Sequence, residues 1–319
     1  MRSIIAKRLG VVFAQACAGV CLLMWLAVAP AYGQTLDDAA DLYDRAQRRH
    51  QKKDFAGALA DFTRLIELIT RPVTVDAKRR LIAPETEKIK LIDPRAANAY
   101  TARGIVRFER RDYDGALADF DNTLRIAPGL VAAWYSRGVL WQSKGERERA
   151  LNDYNRALQL NPQFAEAYNN RGNLLIEEGK RREALADFDA AIRLKPREAI
   201  MYGNRGRVRR ELQDTRGAIA DFTRAIELDP QGAEFYLGRG VARFDEHDLD
   251  LAIDDFTSAL DLDSQLAEAH ANRGLAQLLK GRDGEAEADF ARCLSLNPTL
   301  RPQLEQKIEW TITRRAARH

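Results

Sequence analysis

The feature that constrains this chain most is a strict 34-residue period. Six glycines recur at that spacing, and each is directly preceded by an arginine: Gly104, Gly138, Gly172, Gly206, Gly240 and Gly274. Twelve residues after each glycine comes an alanine, and four residues later an aromatic side chain, from Phe120 to Phe290. Self-similarity at such a period is the signature of a repeat protein whose unit is one supersecondary element.

The spacing inside each repeat predicts two helices. When the repeats are counted from residues 97, 131, 165, 199, 233 and 267, small or apolar residues occupy positions 4, 8, 20, 24 and 27, which is helical periodicity. Proline closes most repeats and ends the second helix, because the residue before a proline is disfavoured in the α conformation. One unit cannot bury its own apolar face, so neighbouring units are expected to stack into a continuous core.

These positions resemble the tetratricopeptide repeat, a helix–turn–helix unit. The resemblance implies an all-α protein, a right-handed α-solenoid of about seven such repeats with a C-terminal capping helix. We expect six regular repeats over residues 97–300 and a divergent first repeat over residues 34–70, where Ala58, Phe62 and Leu65 match the pattern.

Two segments depart from the period. Residues 71–96 contain three prolines and are interpreted as an insertion, a loop with a short helix over 85–91, which is either a tolerated surface loop or a functional element. Residues 301–319 are expected to form a capping helix over the end of the stack and a basic tail. The apolar residues of that helix are Leu304, Ile308, Trp310 and Ile312.

Residues 1–33 have the layout of a secretory signal. A basic start precedes residues 11–31, which carry no charge, and the small residues Ala31 and Gly33 favour cleavage before Gln34. The pattern predicts an exported protein, periplasmic or secreted. The alternative is a retained N-terminal anchor that leaves the repeats outside the cytoplasm. This uncleaved segment would be the only part of the protein expected to contact a membrane.

Charge and cysteine content narrow the function classes. The chain has 50 Lys plus Arg and 47 Asp plus Glu. The leader contains three of the basic residues and no acidic one, so the rest of the chain has 50 − 3 = 47 basic and 47 acidic residues. A balanced surface lacks the basic footprint of nucleic-acid-binding proteins, so no nucleic-acid partner is expected. Cys293 is the one cysteine beyond the leader and occupies a small core position.

No pattern points to catalysis. The four histidines have no metal-ligand spacing, and neither a phosphate-binding glycine loop nor a Gly-x-Ser-x-Gly motif is present. We therefore predict no catalytic residue, no metal site, no cofactor and no enzymatic activity. An arginine at position 7 and an aspartate at position 23 recur in all six repeats, and a feature of every unit is best interpreted as an ion pair that stabilises every unit.

In the tetratricopeptide family, the first helices line a concave groove through positions 2, 5, 6, 9, 12 and 13. Asn173 and Asn204 match the two asparagines of the chaperone-binding dicarboxylate clamp. The clamp's lysine is replaced by Asn169, however, and its basic residues in the following repeat by Glu234 and Gly238, which argues against that ligand.

The groove positions nevertheless vary between repeats while the packing positions do not. Amides there can hold an extended peptide backbone, and two arginines can take a carboxylate. The alternative is an ordinary solvated surface. The candidate peptide-binding residues are Tyr135, Asn169, Asn173, Asn204, Arg207, Arg210 and Phe244.

The sequence thus predicts a non-enzymatic scaffold that binds a peptide or protein partner in its groove, within a cell-envelope assembly. The alternative is a non-catalytic regulatory subunit of a secretion or wall-synthesis enzyme complex. The identity of the partner and the oligomeric state are left open by the sequence.

Overall fold

A computed structural model describes residues 33–70 and 94–316 of the 319-residue chain. Within these ranges every regular element is helical, which confirms the predicted all-α class. None of the described helices is long and apolar enough to span a membrane. Residues 1–32 of the leader and most of the insertion, with its expected helix over 85–91, lie outside the described residues. The chain divides into two compact units, with the boundary in the sequence after Pro162.

Over residues 33–70 and 94–162, the first unit contains three helix pairs. The first pair belongs to the divergent repeat, and in each pair the two helices pack antiparallel through a short turn. Its six helices are α1 (Gly33–Gln51), α2 (Phe55–Ile69), α3 (Pro94–Glu109), α4 (Tyr113–Ile126), α5 (Val131–Ser143) and α6 (Arg147–Leu160). Helix α3 begins three residues earlier than the 34-residue register suggests, at Pro94. Proline is tolerated there because the first N–H groups of a helix have no intrahelical acceptor, so the absence of one removes no hydrogen bond.

The second unit contains four helix pairs, a 3-10 turn and a final helix. In the first three of these pairs the second helix also packs against the first helix of the next pair, so the four repeats share one core. The helices are α7 (Ala165–Glu177), α8 (Arg181–Leu194), α9 (Ala199–Glu211), α10 (Thr215–Leu228), α11 (Ala233–Asp245), α12 (Leu249–Leu262), α13 (Ala267–Leu279), α14 (Asp283–Leu296) and α15 (Arg301–Ala316), with the 3-10 turn at Pro298–Leu300.

The repeated glycine is explained by the aromatic ring that packs on it. A Cβ atom on Gly138 would lie 2.8 Å from Cε1 of Tyr154, and one on Gly172 would lie 2.9 Å from Cζ of Phe188. Both rings are fully buried. The ring therefore occupies the volume that a side chain at the glycine position would need, and the two sequence positions are coupled by this contact.

The repeated arginine and aspartate form a bidentate pair between the two helices of each repeat, as the sequence interpretation proposed. Arg205 Nη2 donates to Asp221 Oδ1 over 2.6 Å and Nε donates to Oδ2 over 2.9 Å. The guanidinium also lies on the ring of Tyr202, at 5.6 Å from its centroid. The same pair occurs in every repeat: Arg45–Asp61, Arg103–Asp119, Arg137–Asp153, Arg171–Asp187, Arg205–Asp221, Arg239–Asp255 and Arg273–Asp289.

These arginines also tie successive repeats together through one further acceptor. Arg205 Nη1 donates to Asp189 of the preceding repeat over 2.7 Å, and Arg273 Nη1 donates to Thr257 over 3.2 Å. The equivalent residue of the last repeat is Ala291, which has no side-chain acceptor. An arginine of a further repeat would therefore find no side-chain acceptor at Ala291.

Helix α15 follows the last repeat, in the place of the predicted capping helix. Leu304 is buried as expected, but Trp310 and Ile312 are 53% and 47% exposed. Helix α15 packs against α13, and Phe290 of α14 stays partly exposed, whereas the equivalent Phe188 and Phe256 are fully buried. The helix thus covers α13 and leaves part of the end of the stack open.

Candidate binding face

The candidate residues lie on the first helices of their repeats. Six of the seven belong to the second unit and lie on one side of α7, α9 and α11. We call this side, together with its continuation on α13, the groove face. It is defined by repeat positions 2, 5, 6, 9, 12 and 13. Tyr135 belongs to the first unit, where it is 5% exposed and packs against Tyr154, with ring centroids 5.9 Å apart.

Two of the candidate asparagines bond to each other. Asn204 Nδ2 donates to Asn169 Oδ1 over 3.0 Å, and these residues are 8% and 6% exposed. Asn169 Nδ2 in turn lies 3.3 Å from Asn170 Oδ1. The buried amides of Asn169 and Asn204 therefore join α7 to α9 at the floor of the groove face, where each uses part of its hydrogen-bonding capacity inside the protein.

Arg207, on the groove face, has a guanidinium group whose hydrogen bonding is incomplete. Its Nη2 donates to the neutral amide oxygen of Asn173 over 3.1 Å, while its Nε is buried and donates to nothing. Burial lowers the pKa of the Arg207 guanidinium, and the charges of Glu211 and Glu177 oppose that effect. A buried N–H without an acceptor is energetically costly, so this guanidinium has hydrogen-bonding capacity that the described residues do not satisfy.

Arg210 is already engaged. Its Nη1 lies 3.3 Å from Asp245 Oδ2 on α11, and the two side chains are 36% and 42% exposed. An exposed pair of this kind contributes little to stability and can be exchanged for another partner. The two arginines, which the sequence treats as equivalent, therefore differ in burial and in partner.

The groove face becomes apolar towards the C-terminus. Phe244 and Val241 of α11 are partly buried against the core of Ala252, Phe256 and Ala276. Each keeps some exposed surface. The sequence-based candidates include Phe244 but not Asp245. The available signal for Asp245 was its charge, which is opposite to that of Arg210 at position 12 of the preceding repeat.

Other chemically notable groups serve packing. Within the described ranges, no group of three or more His, Cys, Asp and Glu side chains could hold a metal ion. His270 Nδ1 lies 2.8 Å from Asp289 Oδ1, the carboxylate that Arg273 also holds. Cys293 is fully buried, and burial raises the pKa of its thiol.

Sequence comparison decides the family. A family model described as TPR repeat matches residues 143–179, and one described as tetratricopeptide repeat matches residues 169–233, 203–267 and 237–300. The chain is a tetratricopeptide repeat protein. This fold is in general a scaffold for protein–protein interaction, and the repeats point to that class of function. No curated protein matches the chain significantly.

Solved structures show the same fold. A tetratricopeptide repeat protein from Parabacteroides merdae is 19% identical, with a TM-score of 0.58, over 86% of this chain and 99% of that one. The Pseudomonas aeruginosa protein pilF is 20% identical, with a TM-score of 0.58, over 64% and 93% of the two chains. YrrB, a TPR protein with an unusual peptide-binding site, is 25% identical, with a TM-score of 0.49, over 56% and 92%.

Proposed function

We propose that this tetratricopeptide repeat protein is a scaffold that binds an extended, acidic segment of a partner protein on the groove face of its second unit. The observation that carries the proposal is the Arg207 guanidinium, which lies at a partly exposed position of the groove face, bonds through Nη2 to a neutral amide oxygen and has a buried Nε without an acceptor. A carboxylate that contacts the terminal Nη nitrogens would accept hydrogen bonds from them and compensate the charge.

The surroundings of Arg207 support a peptide as the source of that carboxylate. Asn173 holds the guanidinium, so little side-chain entropy is lost on binding. The partly exposed Val241 and Phe244 lie on the next first helix, where a neighbouring apolar side chain of the same segment would pack. Charge-assisted hydrogen bonds at Arg207 would contribute about 1.5–3 kcal/mol, roughly ten- to a hundredfold in affinity.

We place this scaffold in a cell-envelope assembly because residues 1–33 have the pattern of an export signal. A partner in that compartment, including an enzyme complex that the protein would regulate without catalysis, is compatible with the same binding face.

Site-specific photo-crosslinking in the producing cell tests the proposal. A photoreactive phenylalanine analogue replaces Glu234, which is exposed on the groove face, and in a matched protein it replaces Glu227, exposed on the second helix α10. We expect a specific protein adduct, identified by mass spectrometry, from position 234 and not from position 227. Adducts from position 227 alone would place the interaction on the outer helices.

The partner so identified then reports on Arg207. We expect Arg207→Ala to weaken binding by about ten- to a hundredfold. The matched control is Arg216→Ala, which removes an exposed arginine from α10 and should leave binding unchanged. Equal affinities of the two variants would contradict a carboxylate site at Arg207.

A further inference from the structure

Helix α15 does not take the position that a further first helix would take. It packs against α13, so Phe290 of α14 remains partly exposed, although the equivalent Phe222 is 5% exposed. Ala291 also lacks the side-chain acceptor that joins one repeat to the next. The helix is therefore displaced from α14 towards α13.

The contacts of α15 identify the surface that it covers. Arg315 Nη1 donates to the carbonyl oxygen of Leu278 over 2.9 Å and pairs with Asp283. Leu275 and Leu278 occupy the groove positions 9 and 12 of α13 and are only 4% and 6% exposed. The residues at those two positions are partly exposed in the other repeats of this unit: Asn173, Ile176, Arg207, Arg210, Val241 and Phe244. Helix α15 thus lies over the groove face of α13.

The C-terminal end of α15 also reaches the preceding repeat. Arg314 Nη2 lies 2.5 Å from Nε2 of His247, which is in the turn between α11 and α12. Since α15 follows α14 in the chain, this contact requires the helix to pass across the repeat that contains α13. It therefore occupies the C-terminal end of the groove face.

The hold on α15 is weak. Leu304 and Thr311 are its buried side chains, at 3% and 1% exposure, while Trp310 and Ile312 are about half exposed. The pair between Arg315 and Asp283 lies at the surface, with side chains 27% and 55% exposed. A helix with few buried apolar contacts belongs to the part of a structure that opens locally at low free-energy cost.

We propose that α15 covers part of the groove face reversibly. When α15 is displaced, the surface beneath it binds an amphipathic helix of a partner protein. The chemistry of that helix is read from α15 itself: a leucine, a small polar residue seven positions later, and an arginine four positions after that, matching Leu304, Thr311 and Arg315. Displacement of α15 would expose Leu275 and Leu278 beside Val241 and Phe244 and extend the apolar end of the face. The proposal goes beyond the acidic site, because it does not involve Arg207.

The first test uses a fluorescein-labelled synthetic peptide of residues 301–316 as the probe and fluorescence anisotropy as the readout. In the full chain, Leu304→Asp should undock α15 and raise the apparent affinity for the probe by about tenfold or more, because the competent fraction of the surface increases. Ile312→Asp, an exposed position of the same helix, should bind the probe as the unchanged protein does. Equal binding to all three proteins would overturn the proposal.

Two further measurements separate the proposal from its alternatives. A probe that itself carries Leu304→Asp should lose binding, and binding that persists would mean a non-specific surface. Circular dichroism checks that the Leu304→Asp protein is folded, and Arg315→Glu provides a second undocked variant if it is not.

Hydrogen exchange of the unchanged protein should show that residues 301–316 open at least about tenfold more often than α13. Equal protection of the two helices would overturn displaceability. Sedimentation would identify a second copy of the chain, rather than a partner helix, as the occupant if the unchanged protein is a stable dimer and the Leu304→Asp variant is a monomer. Probe binding that survives Arg207→Ala would separate this surface from the acidic site.

Discussion

A Cβ atom placed on Gly203 of α9 would lie 2.6 Å from Cε1 of Phe235 on α11. Phe235 is 2% exposed and occupies a position at which four of the other regular repeats have alanine. The glycine thus provides the volume that the larger side chain of the next repeat fills. Although Gly203 lies at a groove position of the sequence pattern, it is part of the core.

This pair predicts a non-additive double-mutant cycle. Gly203→Ala should destabilise by about 1–3 kcal/mol through overpacking. Phe235→Ala should cost about 3–5 kcal/mol through the cavity that it leaves. In the double variant the new methyl group no longer meets a ring, so the combined loss, measured by urea denaturation, should fall short of the sum by about 0.5–3 kcal/mol. Strict additivity would show that the two residues do not touch.

The glycine–aromatic contact predicts a contrast between two glycines of the first unit. Gly138→Ala would bring a Cβ atom to 2.8 Å from Tyr154, whereas Gly129→Ala would meet nothing within 4 Å. We expect the first variant to lose about 1–3 kcal/mol of unfolding free energy and the second to change little. Equal thermal melting temperatures for the two variants would contradict the assignment of repeat position 8.

Asp61 predicts a pH dependence of the first repeat. Its hydrogen bond from Arg45 lowers the pKa of the Asp61 carboxyl, and this outweighs the opposing effect of burial. A carboxyl with a lowered folded-state pKa stabilises the protein above its unfolded pKa, about 3.9, and loses that contribution as the pH falls through the folded-state pKa. Asp61→Asn should therefore flatten the loss of stability below about pH 4.

The same substitution should cost about 1–3 kcal/mol at neutral pH, because the buried Asp61 side chain loses its charge-assisted hydrogen bonds from Arg45 and Arg49. Asp44→Asn, at an exposed position of α1, is the matched control and should change neither quantity. Hydrogen-exchange protection of α1 and α2 as a function of pH is the measurement. An unchanged pH profile for Asp61→Asn would mean that the fork does not control acid stability.

The leader predicts a defined mature N-terminus. If residues 1–33 are a cleaved export signal, mass spectrometry of the protein from the producing cell should find Gln34 as the first residue, in the soluble exported fraction. Recovery of residues 2–28 on a protein held in the membrane fraction would instead establish the retained anchor.

The fold was largely predictable because its determinants are local or repeat at a fixed distance. Arg205 and Asp221 are sixteen residues apart in the chain, and the same spacing recurs in every repeat, so their pairing could be anticipated without coordinates. The candidate binding face was predictable only as a set of positions in the repeat. Nothing in the spacing shows that Asn204 bonds to Asn169 or that the Nε of Arg207 has no acceptor.

Helical periodicity and the 34-residue period are enough to specify the helix pairs and the interhelical ion pairs, because they fix which side chains meet within a repeat. The surroundings of the variable residues depend instead on tertiary packing. Arg207 differs from Arg210 in burial and in hydrogen-bond partner, and Trp310 differs from Leu304 in exposure. These differences follow from how closely neighbouring helices approach and from where α15 lies. Those distances depend on packing between repeats, where a shift of a few ångströms decides whether a polar group is paired, buried or open to a partner.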